Sequence, residues 1–415
     1  MNNLLALALF LLYVNQLVYL VIALLKKPRV YEKAEPKDLA VLICARNEEA
    51  VIGDLLCSLK NQTYPKEKLH VFVCADHCTD QTAEKAKQLG AKVYVRNEDT
   101  GIGKAYALDF LMRNIKRDHP EGFDGYLLLD ADNLLRTDYV EKMSDALSAG
   151  NEIVTSYRNS KNFGDSWVSA GSSLCFLREC RNLQQARSIL GLSCVSSGTG
   201  YLFSRTVAEE FTGWPYRTLT EDIEFTLDQI LKGRKIAYCA QAEFFDEQPA
   251  TFRQSWDQRV RWSKGYLQNF RLYFGALMKG MLKGSFICYD MLTVLLPVNL
   301  IAIVGLPVNL LIMVYGIWSG QSTVIQLLIS FLRFFGTLYL SIMFYAAVIT
   351  IAERKRIWAG RWKRFINVLT TPVFVLTYLP VSLVAAMAPV TWKPIAHKVS
   401  MQEMQRRSRE ERLPI

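Results

Sequence analysis

Apolar residues follow three different patterns along the chain. Residues 4–25 form an almost unbroken apolar run that ends in Lys26-Lys27-Pro28-Arg29. About 20 such residues at ~1.5 Å rise cross a ~30 Å hydrocarbon core. The charges follow the run, and no cleavage-site pattern closes it, so it predicts a retained anchor with residue 30 onward in the cytosol. Two further runs, residues 289–318 and 324–351, are separated by Ser319-Gly320-Gln321-Ser322. Glu353-Arg354-Lys355-Arg356 and Arg361-Trp362-Lys363-Arg364 come next, and the positive-inside rule keeps them cytosolic. A fourth run, residues 365–389, holds Pro372 and Pro380 and precedes a basic tail with Lys393, Lys398, Arg406 and Arg407. A bent or re-entrant segment returning to the same side reconciles that run with a cytosolic tail. Residues 267–283 differ again, with Phe270, Phe274, Leu277 and Met281 interspersed with Arg271, Lys279 and Lys283. That spacing suits a helix lying in the membrane interface, or else the last packed helix of a soluble domain.

Between these regions, residues 38–265 alternate short β-branched runs with amphipathic stretches. Strands are expected at 39–44, 70–75, 92–95 and 125–129, and helices at 48–59, 82–89 and 104–115. Strand–helix alternation with continuously apolar strands predicts a mostly parallel, doubly wound α/β sheet. Ligands of such sheets bind beyond the carboxyl ends of the strands. Arg46-Asn47-Glu48, Asp76-His77 and Asp130-Ala131-Asp132 stand at those ends.

Composition narrows the class. Of 415 residues 51% are hydrophobic and 21% charged, which excludes a disordered polar chain. Nine cysteines in a chain this long, several inside apolar runs, fit buried reduced thiols better than a disulfide scaffold. The net charge of +10 gathers beside the apolar runs, as expected for contact with membrane lipid. No nucleic-acid partner is expected.

Several strings carry candidate chemistry, each beside a plainer reading. Asp130 and Asp132, one residue apart at a strand end, can share a hard divalent cation that arrives with a phosphorylated substrate, although Asp-x-Asp is also common in turns. Gly101-Ile102-Gly103-Lys104 lacks P-loop spacing, but a glycine-flanked lysine opening a helix suits a diphosphate. Thr220-Glu221-Asp222 reads by itself as a helix start with Thr as N-cap. On a helix, Gln258, Arg261 and Trp262 share a face. An amide, a guanidinium and an indole together suit a sugar–phosphate site, and equally a basic helix near acidic lipid. Cys74, Cys78 and His77 have no second pair at zinc-ligand spacing. Residues 164–168 lack the second glycine of a nucleophile elbow.

Taken in order, Ala45-Arg46-Asn47-Glu48-Glu49, Asp76 with Thr79-Asp80, Gly103-Lys104-Ala105, Asp130-x-Asp132, Thr220-Glu221-Asp222 and Gln258-x-x-Arg261-Trp262 closely resemble the membrane-embedded family 2 glycosyltransferases. These include cellulose, hyaluronan, chitin and poly-N-acetylglucosamine synthases. The resemblance spans residues 38–265 and extends to the flanking helices. It implies an α/β GT-A catalytic domain flanked by transmembrane α-helices, and inverting transfer from a UDP-sugar with Mg²⁺ or Mn²⁺. By motif, it implies that Asp76 contacts uracil, Lys104 the diphosphate, and Asp130 and Asp132 the nucleotide and its metal. Asp222 becomes the general base, with Glu221 beside it on the substrate. Gln258, Arg261 and Trp262 bind pyrophosphate and the acceptor end. Two departures stand out: Asp76-His77-Cys78 replaces the usual Asp-Gly-Ser, and one helix rather than two precedes the domain.

The organisation expected from all this is an anchor (1–29), a cytosolic GT-A domain (30–265), an interfacial helix (266–284), a transmembrane region (285–390) and a basic cytosolic tail (391–415). The expected protein is a multi-pass plasma-membrane enzyme that polymerises and exports a β-linked polysaccharide, its acceptor being the growing chain, with room for accessory or regulatory subunits. The alternatives are a transferase adding one sugar to a lipid, and a catalytically silent scaffold. Retention of Asp130, Asp132 and Asp222 together argues against the last.

Overall fold

The computed structural model describes residues 2–296, 306–320, 323–390 and 399. The chain divides into two compact units. The larger is built on Tyr19–Asn162 and Phe176–Gln248, the other on Phe163–Cys175 and Pro249–Thr391 together with the start of the chain.

The larger unit carries an eight-stranded sheet. Its first half comprises β1 (Leu39–Ala45), β2 (Leu69–Asp76), β3 (Lys92–Arg96) and β4 (Gly125–Asp130), in the order β3-β2-β1-β4. All three of these pairings are parallel. β1 reads Leu-Ala-Val-Leu-Ile-Cys-Ala without polar alternation because both of its faces are covered. Helices α2 (Ile52–Lys60), α3 (Thr82–Gln88) and α5 (Tyr139–Ser148) cover one face, where Val41, Ile43, Leu55, Ala86 and Met143 share one core. On the other face α4 (Lys104–Asp118) buries Leu108, Leu111, Met112 and Ile115, an i, i+3, i+4, i+7 stripe.

The second half of the sheet departs from the doubly wound expectation. β5 (Leu134–Leu135), β6 (Ile153–Ser160), β7 (Tyr201–Ser204) and β8 (Ile236–Asp246) continue the order as β7-β6-β8-β5. β7 runs antiparallel to both β4 and β6, whereas β6 and β8 are parallel. The sheet is therefore mixed, and its connections include helices α6 (Trp167–Arg178), α7 (Gln185–Ile189) and α8 (Arg205–Glu209). β5 and β7 are too short to show a period, and the latter half of β6, Ser-Tyr-Arg-Asn-Ser, is polar yet almost wholly buried.

A short segment ahead of β7 forces one backbone choice. Gly200 stands at φ +68, and a Cβ there would come within 2.2 Å of the Phe244 ring. Gly200→Ala is expected to destabilise this unit by about 2–4 kcal/mol, left-handed strain plus overpacking. Gly150→Ala, at φ +86 with nothing within 4 Å, should cost only about 1 kcal/mol. Thermal unfolding of the two variants checks the difference.

The other unit is helical. Helix α10 (Phe252–Leu282) is capped by the Thr251 hydroxyl, which accepts from the Gln254 N–H, and it runs through residue 265 without a break. Residues 267–283 are thus the continuation of the helix that carries Gln258, Arg261 and Trp262. Helix α11 (Phe286–Leu295) follows, then Leu306–Trp318, Val324–Ala352, Arg361–Leu376 and Tyr378–Met387. Among the described residues, 324–352 and 361–387 are long and apolar enough to cross a membrane. Pro372 lies inside the first part of the latter, which gives way at Thr377. Arg259, 1% exposed, secures that junction by donating to the Phe374 carbonyl (3.3 Å) and the Thr377 hydroxyl (2.6 Å). Its guanidinium sits 4.4 Å from the Phe374 ring centroid and 4.9 Å from that of Tyr378.

The anchor expected at 4–25 is a helix, α1 (Asn2–Leu25). Within the helical unit Asn15 donates to the buried Asp290 carboxylate at 3.1 Å. The remainder of the tail beyond residue 390 lies outside the described residues. Val399 donates its N–H to Glu247 Oε2 (2.9 Å), and its carbonyl accepts from Lys161 Nζ (3.3 Å), both partners belonging to the α/β unit. All nine cysteines are free thiols.

Candidate active site

The carboxyl ends of β1, β2 and β4 converge, because the three strands are neighbours in register: Cys44 pairs with both Cys74 and Asp130. Just beyond β1 and β2 stand two non-glycine residues in the left-handed region, Asn47 (φ +55) and His77 (φ +50). Ordinary side chains adopt that region at a cost, and such strain collects at functional sites. The Asn47 side-chain oxygen accepts from the Thr79 N–H at 2.8 Å, and the Thr82 hydroxyl accepts from the Glu48 N–H at 2.8 Å. Asp80 accepts from the Glu49 N–H at 3.1 Å. Two of the motifs read from the sequence are thereby stitched to each other and shape the turns.

Asp76 ends β2 and is 3% exposed. Its Oδ1 accepts from Arg96 Nη1 (2.5 Å) and His77 Nδ1 (2.8 Å). Arg96 also donates to the Thr100 hydroxyl (3.1 Å) and the Gly101 carbonyl (2.6 Å), so it ties β2 to the loop that leads into α4. Gly101 must be glycine: its φ is +131, and a Cβ would meet the Tyr106 ring at 2.5 Å.

Lys104 opens α4 after Gly103, itself at φ +124. Its ammonium donates to Asp130 Oδ1 and, at 2.6 Å, to the Gly198 carbonyl. Burial alone would push this amine down, but the Asp130 and Glu221 carboxylates outweigh it and hold the pKa above the ordinary lysine value. Gly198, at φ +79, also borders Asp222: a Cβ on it would stand 3.9 Å from Asp222 Oδ2. One glycine thus separates a half-buried cation from a half-buried carboxylate.

Asp222 lies in the first turn of α9 (Glu221–Leu231), and Thr220 makes no side-chain capping bond. Phe225 of α9 packs against Tyr201, Phe203 and Trp214, which fixes the helix start beside the sheet. Burial, followed by the charges of Glu221, Asp222 and Asp130, pushes the Tyr201 phenol well up.

Residues unnoticed in the sequence, Asn133, Thr199, Arg158, Asp246 and Glu247, organise the pair Asp130 and Asp132. The Asn133 side-chain oxygen accepts from the Asp130 N–H (3.0 Å) and the Thr199 hydroxyl (2.5 Å). Its amide nitrogen donates to Asp132 Oδ1 (3.5 Å) and Asp246 Oδ1 (3.4 Å). Asp132 Oδ2 accepts from the Glu247 N–H at 3.1 Å. Arg158 grips Asp246 through Nε (2.7 Å) and Nη2, and it reaches the Ser197 carbonyl at 3.1 Å. Burial raises the Asp246 carboxyl, Arg158 pulls it back, and Asp132 adds to the rise, leaving it up at about 6.

A divalent cation suits these residues. The donors are hard carboxylate oxygens, and buried negative charge is crowded next to Asp132. Among the described residues no group of three or more His, Cys, Asp or Glu converges as a metal site. Asp130 and Asp132 would therefore share the ion with phosphate oxygens and water, as magnesium commonly requires.

Asp76, Lys104, Asp130, Asp132, Glu221 and Asp222 all belong to the α/β unit. Gln258, Arg261 and Trp262 belong to the helical unit, half-buried on α10.

Residues 36–265 match the family model described as glycosyltransferase-like family 2. A β-monoglucosyldiacylglycerol synthase of Nostoc is 28% identical over 290 residues, covering 68% of this chain and 60% of that protein. A poly-β-1,6-N-acetyl-D-glucosamine synthase of Staphylococcus aureus is 26% identical over 245 residues, covering 58% of this chain and 57% of that protein. The chain thus spans somewhat under two thirds of the length of these curated relatives. A mannosyltransferase of Pyrobaculum calidifontis, solved with GDP-Man and Mn²⁺, superposes with a TM-score of 0.57 at 16% identity, over 90% of this chain and 95% of that one. That likeness shows the fold, which is of the GT-A type.

Proposed function

The chain belongs to glycosyltransferase-like family 2, and on that premise we propose that it transfers a sugar with inversion from a UDP-sugar to a growing β-linked glycan at a membrane. The observation that carries this reading is Gly198, with the Lys104 ammonium on its carbonyl and the Asp222 carboxylate beside its Cα. A diphosphate-binding cation and a base thereby flank one small gap.

In an inverting displacement the acceptor hydroxyl attacks the anomeric carbon opposite the leaving UDP. Asp222 takes the hydroxyl proton. Lys104, kept charged by Asp130 and Glu221, meets the charge that develops on the diphosphate. Asp76 receives the uracil edge, and Glu221 lines the donor site beside the base. Asp130 and Asp132 would hold a divalent cation, which would supply charge neutralisation at the diphosphate. One base suffices, since no covalent intermediate forms.

Gln258, Arg261 and Trp262 are assigned to pyrophosphate and acceptor. Their helix belongs to the unit that also holds two span-length apolar helices, which supports a membrane location. The bonds from Val399 to Glu247 and Lys161 put that residue beside the catalytic domain, which supports the cytosolic reading of the chain's end.

Trp262→Ala is expected to lower polymer formation about ten- to a hundredfold, the worth of a large aromatic platform, while UDP affinity stays near wild type. Trp262→Phe should recover part of the loss. Sizing the product made from radiolabelled UDP-sugars by the solubilised protein is the measurement. Full-length polymer from Trp262→Ala at the normal rate would remove the aromatic from the acceptor site. A second reading, one sugar added to a lipid, is favoured by the Nostoc relative, whose likeness covers 68% of the chain and so extends past the catalytic domain. A single low-mass lipid product in the same assay would establish it.

A further inference from the structure

The Asp76 carboxylate is held asymmetrically. A carboxylate offers about four acceptor positions, two on each oxygen. Both on Oδ1 are used, by Arg96 Nη1 at 2.5 Å and His77 Nδ1 at 2.8 Å. The carboxylate can only accept, so His77 Nδ1 carries the hydrogen. Neither donor is free to swing away. Arg96 is 1% exposed and fastened to Thr100 and Gly101. His77 donates its own N–H to the Arg96 carbonyl at 2.8 Å, and its backbone is held at φ +50. Among the described residues nothing donates to Oδ2. One oxygen of Asp76 therefore remains for a ligand.

Nucleobases differ in the number of N–H groups on their pairing edge. Uracil has one, N3–H, between two carbonyls. Guanine has two side by side, N1–H and the N2 amino group, and these match both oxygens of a carboxylate at once. Adenine and cytosine present a ring-nitrogen acceptor at that position, which a carboxylate repels.

We infer that His77, by filling Oδ1, makes Asp76 a one-oxygen acceptor and thereby selects uridine over guanosine in the donor nucleotide. The inference rests on the assignment of Asp76 to the nucleobase. Arg96 alone would leave a position on Oδ1 for the second guanine donor, and His77 takes that position. A base that leaves its own donor unpaired in a closed pocket is rejected strongly. The strained backbone at residue 77 is consistent with this role, because glycine would adopt φ +50 freely but cannot supply the imidazole.

The backbone also makes the test clean, since His77→Gly relieves strain and should fold. Binding of UDP and of GDP to the full-length solubilised protein is measured by calorimetry with magnesium present. Wild type is expected to prefer UDP. In His77→Gly the preference should fall about tenfold, mainly through tighter GDP binding, the worth of one charge-assisted hydrogen bond. His77→Asn tolerates the left-handed backbone and keeps an N–H donor, so it should retain most of the preference. A UDP-to-GDP ratio unchanged within about twofold in His77→Gly overturns the role of His77 while leaving the uridine reading intact. A wild type that prefers GDP, or an Asp76→Ala variant that binds both nucleotides normally, overturns the assignment of Asp76 instead.

Discussion

Asp222→Asn is expected to lower sugar transfer by about 10²–10⁴-fold, the range for one positioned acid–base group, with UDP affinity close to wild type. The amide has nearly the shape of the carboxylate but cannot take the acceptor proton. Loss of fold does not offer an easy alternative explanation. The bond from the Thr226 hydroxyl goes to the Asp222 main-chain carbonyl, which the substitution preserves. The aromatic packing of Phe225 that seats α9 is untouched as well. The helix N-terminus favours the charged side chain by only about 0.3–1 kcal/mol. Steady-state transfer measured beside calorimetric UDP binding separates the two effects. Near-normal turnover would leave Thr220-Glu221-Asp222 as an ordinary helix start.

Stripping divalent cations with EDTA, or making Asp132→Ala, is expected to cost about 10²–10³-fold in transfer. Asp132 is 4% exposed and is held by the Glu247 N–H and the Asn133 amide, so its oxygens are oriented before any ligand arrives. Alanine removes the donor and leaves Asn133 and the Glu247 N–H without that acceptor. The check is UDP affinity with and without Mn²⁺: wild type should gain markedly with the ion, and Asp132→Ala should gain nothing. Full turnover in EDTA would strip Asp130 and Asp132 of a metal role.

The parts of the fold legible in the sequence are those whose signal is local. β1 to β4 lie within a residue or two of where their apolar runs place them, because strands buried on both faces need continuous apolar side chains. β6 was not legible, since its polar half is buried by side-chain pairing rather than by apolar packing: Tyr139 and Ser156 bond at 2.8 Å, and Asn159 donates to Glu243 at 2.8 Å. The same limit applies to the site. Lys104, Asp130, Asp132 and Asp222 stand out beside glycines or at strand and helix ends. Arg158 and Asp246 meet across 88 positions, and Asn133 is linked to Thr199 and Asp246 across the chain as well. No short-range spacing could have paired them. The mixed second half of the sheet was hidden for the same reason: β7 is four residues long and its direction is set by partners far away in the chain.

Inverting transfer from a UDP-sugar is decided by the anomeric configuration of the product. The full-length protein in lipid nanodiscs is supplied with α-linked UDP-sugars and magnesium, and the new glycosidic bond is read by proton NMR as UDP is released. The expected product is β-linked, formed with one UDP per sugar transferred. An α-linked product, or transfer that proceeds from GDP-sugars and from no UDP-sugar, would contradict it.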